Sequence, residues 1–176
     1  LFDIIESARK KYFLVNLLSS GTLWNASDLD RLQDLAINKV HLSMYSLRDE
    51  IHDKVTQQAG SLKKTMQTIE GLRKRNIAIQ ITAVALNINT DDIDDLLKWA
   101  TATNIPTKIS PLVRATDQGN ATPQSFAASY EQLVKLHEKH SMHKLFPDEY
   151  GCNSRTPDEK PCAVGEYSTF IDSSGN

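Results

Sequence analysis

The chain has 176 residues and a mass of 19.7 kDa, with 40% hydrophobic and 24% charged residues. These values are normal for a soluble globular domain and exclude a disordered, collagenous or coiled-coil protein. The formal net charge of -2 offers no basic field, so we expect neither a nucleic-acid nor a membrane partner. Since no apolar run approaches the roughly 18 residues of a membrane span and no signal peptide is evident, we predict a cytoplasmic location.

Helical and strand patterns alternate along the chain. Apolar residues recur at helical spacing in some segments and form short, often β-branched runs in others. The predicted helices begin near Leu1, Ser27 (as N-cap), Ser61 (as N-cap), Asp91 and Thr122, the last with an inner face of Phe126, Tyr130, Leu133 and Val134. The predicted strands are 13–18, 40–44, 77–84 and 107–113.

This alternation predicts an α/β fold, with a parallel sheet joined by right-handed crossovers. Four strands are few for a closed eight-stranded barrel, which needs about 250 residues, so the sheet is open or part of it is missing. From Ser141 onward prolines, glycines and both cysteines accumulate, which divides the chain into 1–140 and 141–176. Because the chain begins with Leu1 and stops without a completed element, we expect it to be part of a longer protein.

Polar, mostly uncharged residues follow the predicted strands. In parallel α/β folds the functional atoms collect at the carboxyl ends of the strands. Hydroxyls and amides there suit a ligand with ribose hydroxyls or an amino-acid group, although position alone favours ordinary turn chemistry. The residues concerned are 19–22, 43–46, Asn87, Asn89, Ser110 and Arg114.

Other motifs carry little chemistry. No Gly-x-Gly-x-x-Gly or Gly-Lys-Ser/Thr loop occurs, which excludes the usual dinucleotide and nucleotide-phosphate sites. Three histidines at 137, 140 and 143 are more typical of a solvated helix end than of a metal site. The aspartates at 91, 92, 94 and 95 are explained by an acidic first helical turn.

Cys152 and Cys162 are the only cysteines, separated by nine residues. Two thiolates are half of a four-ligand zinc or iron-sulfur site, and the chain offers no further cysteine. Taken alone, these residues favour a pair of incidental thiols.

Short motifs occur in the order that one enzyme family shows. Residues 18–23 resemble a Thr-Asn-Gly-Thr-Leu turn, and 40–46 resemble a Ser-Leu-Asp/Tyr-Gly strand end. A His-Asp-x-Val loop and a Gly-Ser helix start follow at 51–56 and 60–62, then a strand with an Asn exit at 77–93. Residues 161–165 and 171–175 resemble a Cys-x-x-Gly and an Ile-Asp-x-x-Gly sequence. Together they resemble the radical S-adenosylmethionine enzymes that carry a C-terminal SPASM domain.

The resemblance implies a partial (β/α)6 TIM-like barrel in 1–140 and the start of a SPASM domain in 141–176. In this family a [4Fe-4S] cluster cleaves S-adenosylmethionine reductively, and the 5'-deoxyadenosyl radical abstracts hydrogen from a substrate, commonly a peptide or protein. The implied partners are therefore a peptide or protein substrate and an electron donor such as flavodoxin or ferredoxin.

The same resemblance implies roles for individual residues. Ser19, Ser20 and Gly21 would border the methionine end of the cofactor, Ser43 the ribose or carboxylate, and Asn89 the ribose side. Cys152 and Cys162 would ligate an auxiliary [4Fe-4S] cluster. The Cys-x3-Cys-x2-Cys loop that holds the main cluster is absent, so this chain alone is expected to be inactive. The alternative is a non-catalytic α/β binding module with a zinc-binding or disulfide-tied tail.

Overall fold

The computed structural model describes residues 1–116, 119–140 and 171. One sheet of four parallel strands lies in the order β1-β2-β3-β4, which confirms the α/β prediction. The strands are β1 Asn16–Ser19, β2 Lys39–Ser43, β3 Ile79–Val84 and β4 Thr107–Ser110. The helices are α1 Phe2–Lys10, α2 Ala26–Asp34, α3 Asp49–Thr56, α4 Ser61–Lys74, α5 Ile93–Thr103 and α6 Tyr130–Lys139.

The hydrophobic core lies between the helices and one face of the sheet. Alternate residues of β2 and β3 are buried, as the two-residue period of a strand requires. They pack with apolar residues of the helices, such as Leu32 of α2, Leu72 of α4 and Leu96 of α5, all fully buried. Burial of this single apolar face against helices is what holds the strands in one register.

Two helices begin at residues other than those predicted. Asn25, not Ser27, caps α2, because its extended backbone lets Oδ1 accept the Asp28 N–H while Asp28 accepts the Asn25 N–H. Gly60, not Ser61, is the N-cap of α4, and Ser61 is its first helical residue. The side-chain cap of α4 comes instead from Asp53 of α3, which accepts the Gly60 and Leu62 N–H groups.

Three strands, β1, β3 and β4, are shorter than their apolar runs predict, whereas β2 has the predicted length and begins one residue earlier. Phe13 and Leu14 precede β1 and are exposed, at 52% and 76% of their surface. Tyr12 has a positive φ of 65°, which turns the chain out of α1. The first strand therefore starts only where its backbone reaches β2, at the pair Asn16–Lys39.

The last predicted helix is two elements. Thr122–Phe126 forms a short 3-10 turn, and Ser129 then caps α6 through a reciprocal hydrogen-bond pair with Gln132. Phe126 and Tyr130 are exposed, so the predicted inner face is wrong for these two residues, while Leu133 packs on the core. Helix α3 was not predicted from periodicity.

Among the described residues, no helix has both the length and the apolar character needed to cross a bilayer. Residues 141–176 lie outside the described residues, except for Ile171. The predicted boundary after residue 140 and the roles of Cys152 and Cys162 therefore stay predictions.

Candidate functional site

The sheet has two chemically different faces. Val40, Leu42 and Met44 on β2 and its continuation face the helices and are fully buried. The opposite face carries polar side chains of intermediate exposure, and the register places them side by side: Ser43 beside Thr82, and Thr82 beside Lys108. Parallel sheets are usually apolar on both faces, so a polar face is unusual and marks the side where a ligand can bind.

Ser43 and Met44 lie as strand alternation predicts. Met44 is 0% exposed in the core, whereas Ser43 is partly exposed on the polar face at the carboxyl end of β2. The Met44 N–H donates to the carbonyl of Thr82, so the ladder continues one residue beyond β2. The Ser43 hydroxyl is thus presented at the strand end, on the face away from the helices.

The turn after β1 combines an exposed and an inward hydroxyl. Ser19 pairs with Leu42 in the register, so its side chain belongs to the helix-covered face, and its Oγ accepts the Gly21 N–H at 3.0 Å. Ser20 is exposed and its Oγ lies 3.0 Å from Thr22 Oγ1. Ser20, rather than Ser19, therefore shares the polar face with Ser43.

Gly21 is required by geometry of the backbone and of its neighbours. Its φ is +73°, and a Cβ there would lie 2.9 Å from Leu42 Cδ2 and 3.4 Å from Thr68 Cγ2. A side chain would therefore meet both a strained backbone and a filled core.

Two buried threonines of α4 hold this turn, and sequence reasoning did not single them out. Thr65 Oγ1 donates to the carbonyl of Ser20 at 2.9 Å, and Thr68 Oγ1 donates to the carbonyl of Gly21. Their three-residue spacing on an otherwise apolar helix face is the signal that would have found them. The position of the turn is thus set by a helix more than forty residues away along the chain.

The segment that leaves β2 is fixed by side chains from two other regions. The Tyr45 N–H donates to His52 Nδ1 at 3.3 Å, and the Tyr45 carbonyl accepts from Asn89 Nδ2 at 2.9 Å. Ser46 Oγ donates to Asp92 Oδ2, and Arg48 binds the same carboxylate with Nε and Nη2. This segment therefore has one defined path over the strand ends.

Asn89, a predicted cofactor contact, is 0% exposed. Its Nδ2 also donates to the carbonyl of Val84 at 3.0 Å, and its Oδ1 accepts the Leu86 N–H at 2.8 Å. Every polar group of the side chain is hydrogen-bonded within the protein. Contact with a ribose stays a prediction for Asn89, and the bonds present describe a side chain that joins the exits of β2 and β3.

Burial and hydrogen bonding shift two pKa values near this segment. Desolvation lowers the pKa of His52 from its usual 6.5, which favours the neutral ring that can accept a hydrogen bond at Nδ1. Hydrogen bonds from the Leu62 N–H, the Ser61 hydroxyl and the Gly60 N–H lower the pKa of Asp53 from its usual 3.8. Asp53 therefore caps α4 as a carboxylate.

The acidic turn of α5 forms ion pairs. Asp94 lies 2.8 Å from Lys139 Nζ and 2.7 Å from Lys98 Nζ, and these partners lower its pKa to about 2. His140 Nε2 is 3.3 Å from Asp94 Oδ1. Within the described part of the chain, no group of three or more His, Cys, Asp or Glu side chains is arranged to hold a metal ion.

A cleft of about 620 Å³ lies between α2, α4 and the turn after β1. Its lining mixes Lys64 and Lys74 with Glu70 and Trp24. It shares Gly21 with the turn after β1 but does not include Ser43, Thr82 or Ser110 at the ends of the other strands.

The donor set of the polar face fits S-adenosylmethionine. Ser20, Ser43, Thr82 and Ser110 offer neutral hydroxyls, which donate and accept hydrogen bonds without a counter-charge. Such groups suit ribose hydroxyls and the amino-acid end of the cofactor. The described residues offer no thiolate for an iron-sulfur cluster.

Three curated proteins are similar to the chain in sequence. The chain is 31% identical over 75 residues to GTP 3',8-cyclase of Bradyrhizobium diazoefficiens, covering 42% of this chain and 22% of the relative. It is 23% identical over 144 residues to AdoMet-dependent heme synthase of Methanosarcina barkeri, covering 82% and 41%. It is 22% identical over 100 residues to PqqA peptide cyclase of Ruegeria pomeroyi, covering 57% and 27%. The chain thus spans less than half the length of each of these relatives.

Solved structures share the fold. The chain superposes on anSMEcpe with bound AdoMet and Cp18Cys peptide with a TM-score of 0.58 and 18% identity, covering 78% of this chain and 40% of that chain. For Streptococcus suis SuiB bound to precursor peptide SuiA the TM-score is 0.59 and the identity 10%, covering 78% and 30%.

A family model decides the assignment. The fold is that of a partial radical SAM TIM-barrel-like domain, with four parallel strands and flanking helices. The model described as the Radical SAM superfamily matches residues 1–100, more than half of the chain. The chain therefore belongs to the radical SAM superfamily.

Proposed function

We propose that this chain is the central part of a radical S-adenosylmethionine enzyme that modifies a peptide or protein. The observation that carries the proposal is the group of neutral hydroxyls on the polar sheet face, at or near the carboxyl ends of strands in a radical SAM fold. When bound, the cofactor and a [4Fe-4S] cluster supply a 5'-deoxyadenosyl radical for hydrogen abstraction. The chain's own residues bind and orient the cofactor.

Ser43 and Ser20 are the strongest candidates for direct contact. Both belong to the polar face, and Ser43, the last residue of β2, lies beside Thr82 of the other central strand. In this proposal Ser43 binds the ribose or carboxylate, and Ser20 and Gly21 border the methionine end. Ser19 shapes the turn from the covered face, because its Oγ already accepts the Gly21 N–H.

A peptide or protein is the proposed substrate class. Two of the structural neighbours have peptides bound, a Cp18Cys peptide in one and precursor peptide SuiA in the other, and one curated relative is a peptide cyclase. The proposed enzyme is cytoplasmic and draws its electron from a small donor such as flavodoxin or ferredoxin. The peptide substrate extends to the whole protein what the relatives' names say, whereas the location and the electron donor are proposed from the sequence patterns and the family resemblance.

The first test is reductive cleavage of S-adenosylmethionine. The full-length protein is reconstituted anaerobically with iron and sulfide, reduced with dithionite, and analysed for 5'-deoxyadenosine, with a sample lacking reductant as control. We expect release only in the reduced sample, and none from residues 1–176 alone. A reconstituted full-length protein that holds a cluster yet releases no 5'-deoxyadenosine would refute the proposal.

The substrate class is tested with a library of synthetic peptides in the same assay. We expect a subset of peptides to accelerate 5'-deoxyadenosine release and to change mass, as hydrogen abstraction requires. Acceleration by small metabolites but by none of the peptides would contradict a peptide-modifying role.

The proposed SPASM segment makes a separate prediction about iron. Cys162 fits the start of the SPASM spacing, because twelve residues separate it from Gly175, and we propose Cys152 as a second ligand of the auxiliary cluster. Cys162→Ala should lower the iron and sulfide content by about one cluster and leave the main cluster in place. Iron quantification together with Mössbauer spectroscopy measures this, and equal iron content in the wild type and the variant would show that Cys162 is not a cluster ligand.

A further inference from the structure

The peptide backbone of Tyr45 is held from both sides by buried side chains. His52 Nδ1, on α3, accepts its N–H, and Asn89 Nδ2, beyond β3, donates to its carbonyl. His52 is 1% exposed and Asn89 is 0% exposed. The Tyr45 and His52 rings also contact each other, with centroids 5.7 Å apart. We call His52 and Asn89 the Tyr45 clamp.

The two clamp residues are chemically specific. His52 must present an unprotonated Nδ1 to accept the Tyr45 N–H, and burial of the ring favours this neutral form. Asn89 uses both amide hydrogens on carbonyls, those of Tyr45 and Val84, and its oxygen on the Leu86 N–H. An aspartate has nearly the same shape but would turn a charged oxygen toward two carbonyl oxygens.

The clamp acts two residues from Ser43. Met44 is fixed by its buried side chain and its bond to Thr82, and Ser46 is fixed by Asp92. With Tyr45 clamped between them, each residue from 44 to 46 has its own anchor. The end of β2 therefore has little freedom to move. A fixed backbone lets the Ser43 hydroxyl contact a ligand with a defined geometry.

We infer that His52 and Asn89 are positioning residues of the S-adenosylmethionine site, which hold the backbone of Tyr45 so that Ser43 meets the cofactor. This inference rests on the proposed function. It assigns Asn89 an indirect role in place of a ribose contact, and it gives the His-Asp motif a purpose: His52 clamps the exit of β2, while Asp53 caps α4.

The test compares near-isosteric variants of the full-length, reconstituted protein. Asn89→Asp removes both donated hydrogen bonds, and His52→Phe keeps a ring but removes the acceptor. His52→Asn is the matched rescue, because its side-chain oxygen lies near the place of Nδ1. Leu72→Ala is the control for lost stability alone, since Leu72 is fully buried in α4 and its apolar side chain forms no hydrogen bond. The readouts are the dissociation constant for S-adenosylmethionine and amide hydrogen exchange of residues 44–46.

We expect Asn89→Asp and His52→Phe to raise the dissociation constant by about tenfold, with faster exchange at 44–46. His52→Asn should restore most of the affinity, and Leu72→Ala should leave it unchanged at temperatures well below unfolding. Equal affinity of wild type, Asn89→Asp and His52→Phe would overturn the inference, as would an equal loss in Leu72→Ala. Failure of the wild type to bind S-adenosylmethionine would instead refute the proposed function.

Discussion

Gly21→Ala is expected to destabilise the protein through backbone strain and through a close contact in the core. The equivalent change at Gly60 measures the backbone strain alone. Gly21 has a φ of +73°, and an added Cβ would lie 2.9 Å from the fully buried Leu42 side chain. Gly60 has nearly the same φ, +74°, but a Cβ there would meet no atom within 4 Å. The two positions therefore share the backbone strain and differ in packing.

The magnitudes follow from these contacts. Placing alanine in the left-handed region costs about 1–2 kcal/mol at either position. Overpacking against Leu42 and Thr68 adds about 1–3 kcal/mol at Gly21, because the neighbours lie in a filled core. We expect a loss of about 2–5 kcal/mol for Gly21→Ala and about 1–2 kcal/mol for Gly60→Ala.

Urea unfolding followed by circular dichroism measures both variants against the wild type under identical conditions. The difference between the two alanine variants isolates the packing effect, since the strain is common to both. Equal losses of unfolding free energy would refute the close contact of the turn with Leu42, and with it the reason for a glycine after β1.

Three further predictions concern the strand ends. In the full-length protein, Ser43→Ala should weaken S-adenosylmethionine binding by about 0.5–1.5 kcal/mol, the effect of one lost hydrogen bond. Met44→Leu, on the opposite face of the sheet, should leave binding unchanged. Equal dissociation constants for Ser43→Ala and wild type would show that Ser43 does not contact the cofactor. Hydrogen bonds lower the pKa of Asp53 from 3.8, so the stabilisation by its carboxylate is present above pH 3.8 and is lost as the pH falls through the lowered pKa. The difference in unfolding free energy between wild type and Asp53→Ala should therefore shrink over that range. A difference that does not change with pH would contradict the cap. Burial lowers the pKa of His52 from 6.5, so the unfolded state takes up a proton more readily; acidification from pH 6.5 should cost the wild type more unfolding free energy than His52→Asn, and parallel titration curves would argue against a buried neutral ring.

Element types were predictable because their signals are local. The buried positions of β3, Ile79, Ile81 and Ala83, recur every second residue, and the apolar residues of α5 recur at helical spacing. Strand ends were less predictable, since Phe13 and Leu14 are as apolar as Leu17 but reach no partner strand. Helix α3 escaped notice because its eight residues bury only His52.

The candidate site was likewise predictable in part. The two-residue period of a strand is enough to separate Ser43 from Met44, and the two side chains lie on opposite faces of the sheet. It did not separate Ser19 from Ser20, because the end of β1 was misplaced by one residue. Nor did it reveal that every polar group of Asn89 has a protein partner, because one partner, the Tyr45 carbonyl, lies 44 residues away at the exit of β2.

The sequence by itself determined the α/β class, the order of the strands along the chain and the hydroxyl-rich strand ends, since each follows from the spacing of neighbouring residues. Only the tertiary structure decided which polar residues face a ligand and which serve the fold. Thr65, Thr68, His52 and Asn89 act on backbone groups of other segments that lie 7 to 47 positions away. A hydrogen bond of that kind depends on where the sheet and helices bring the chain together, and the periodicity of a single segment carries no information about it.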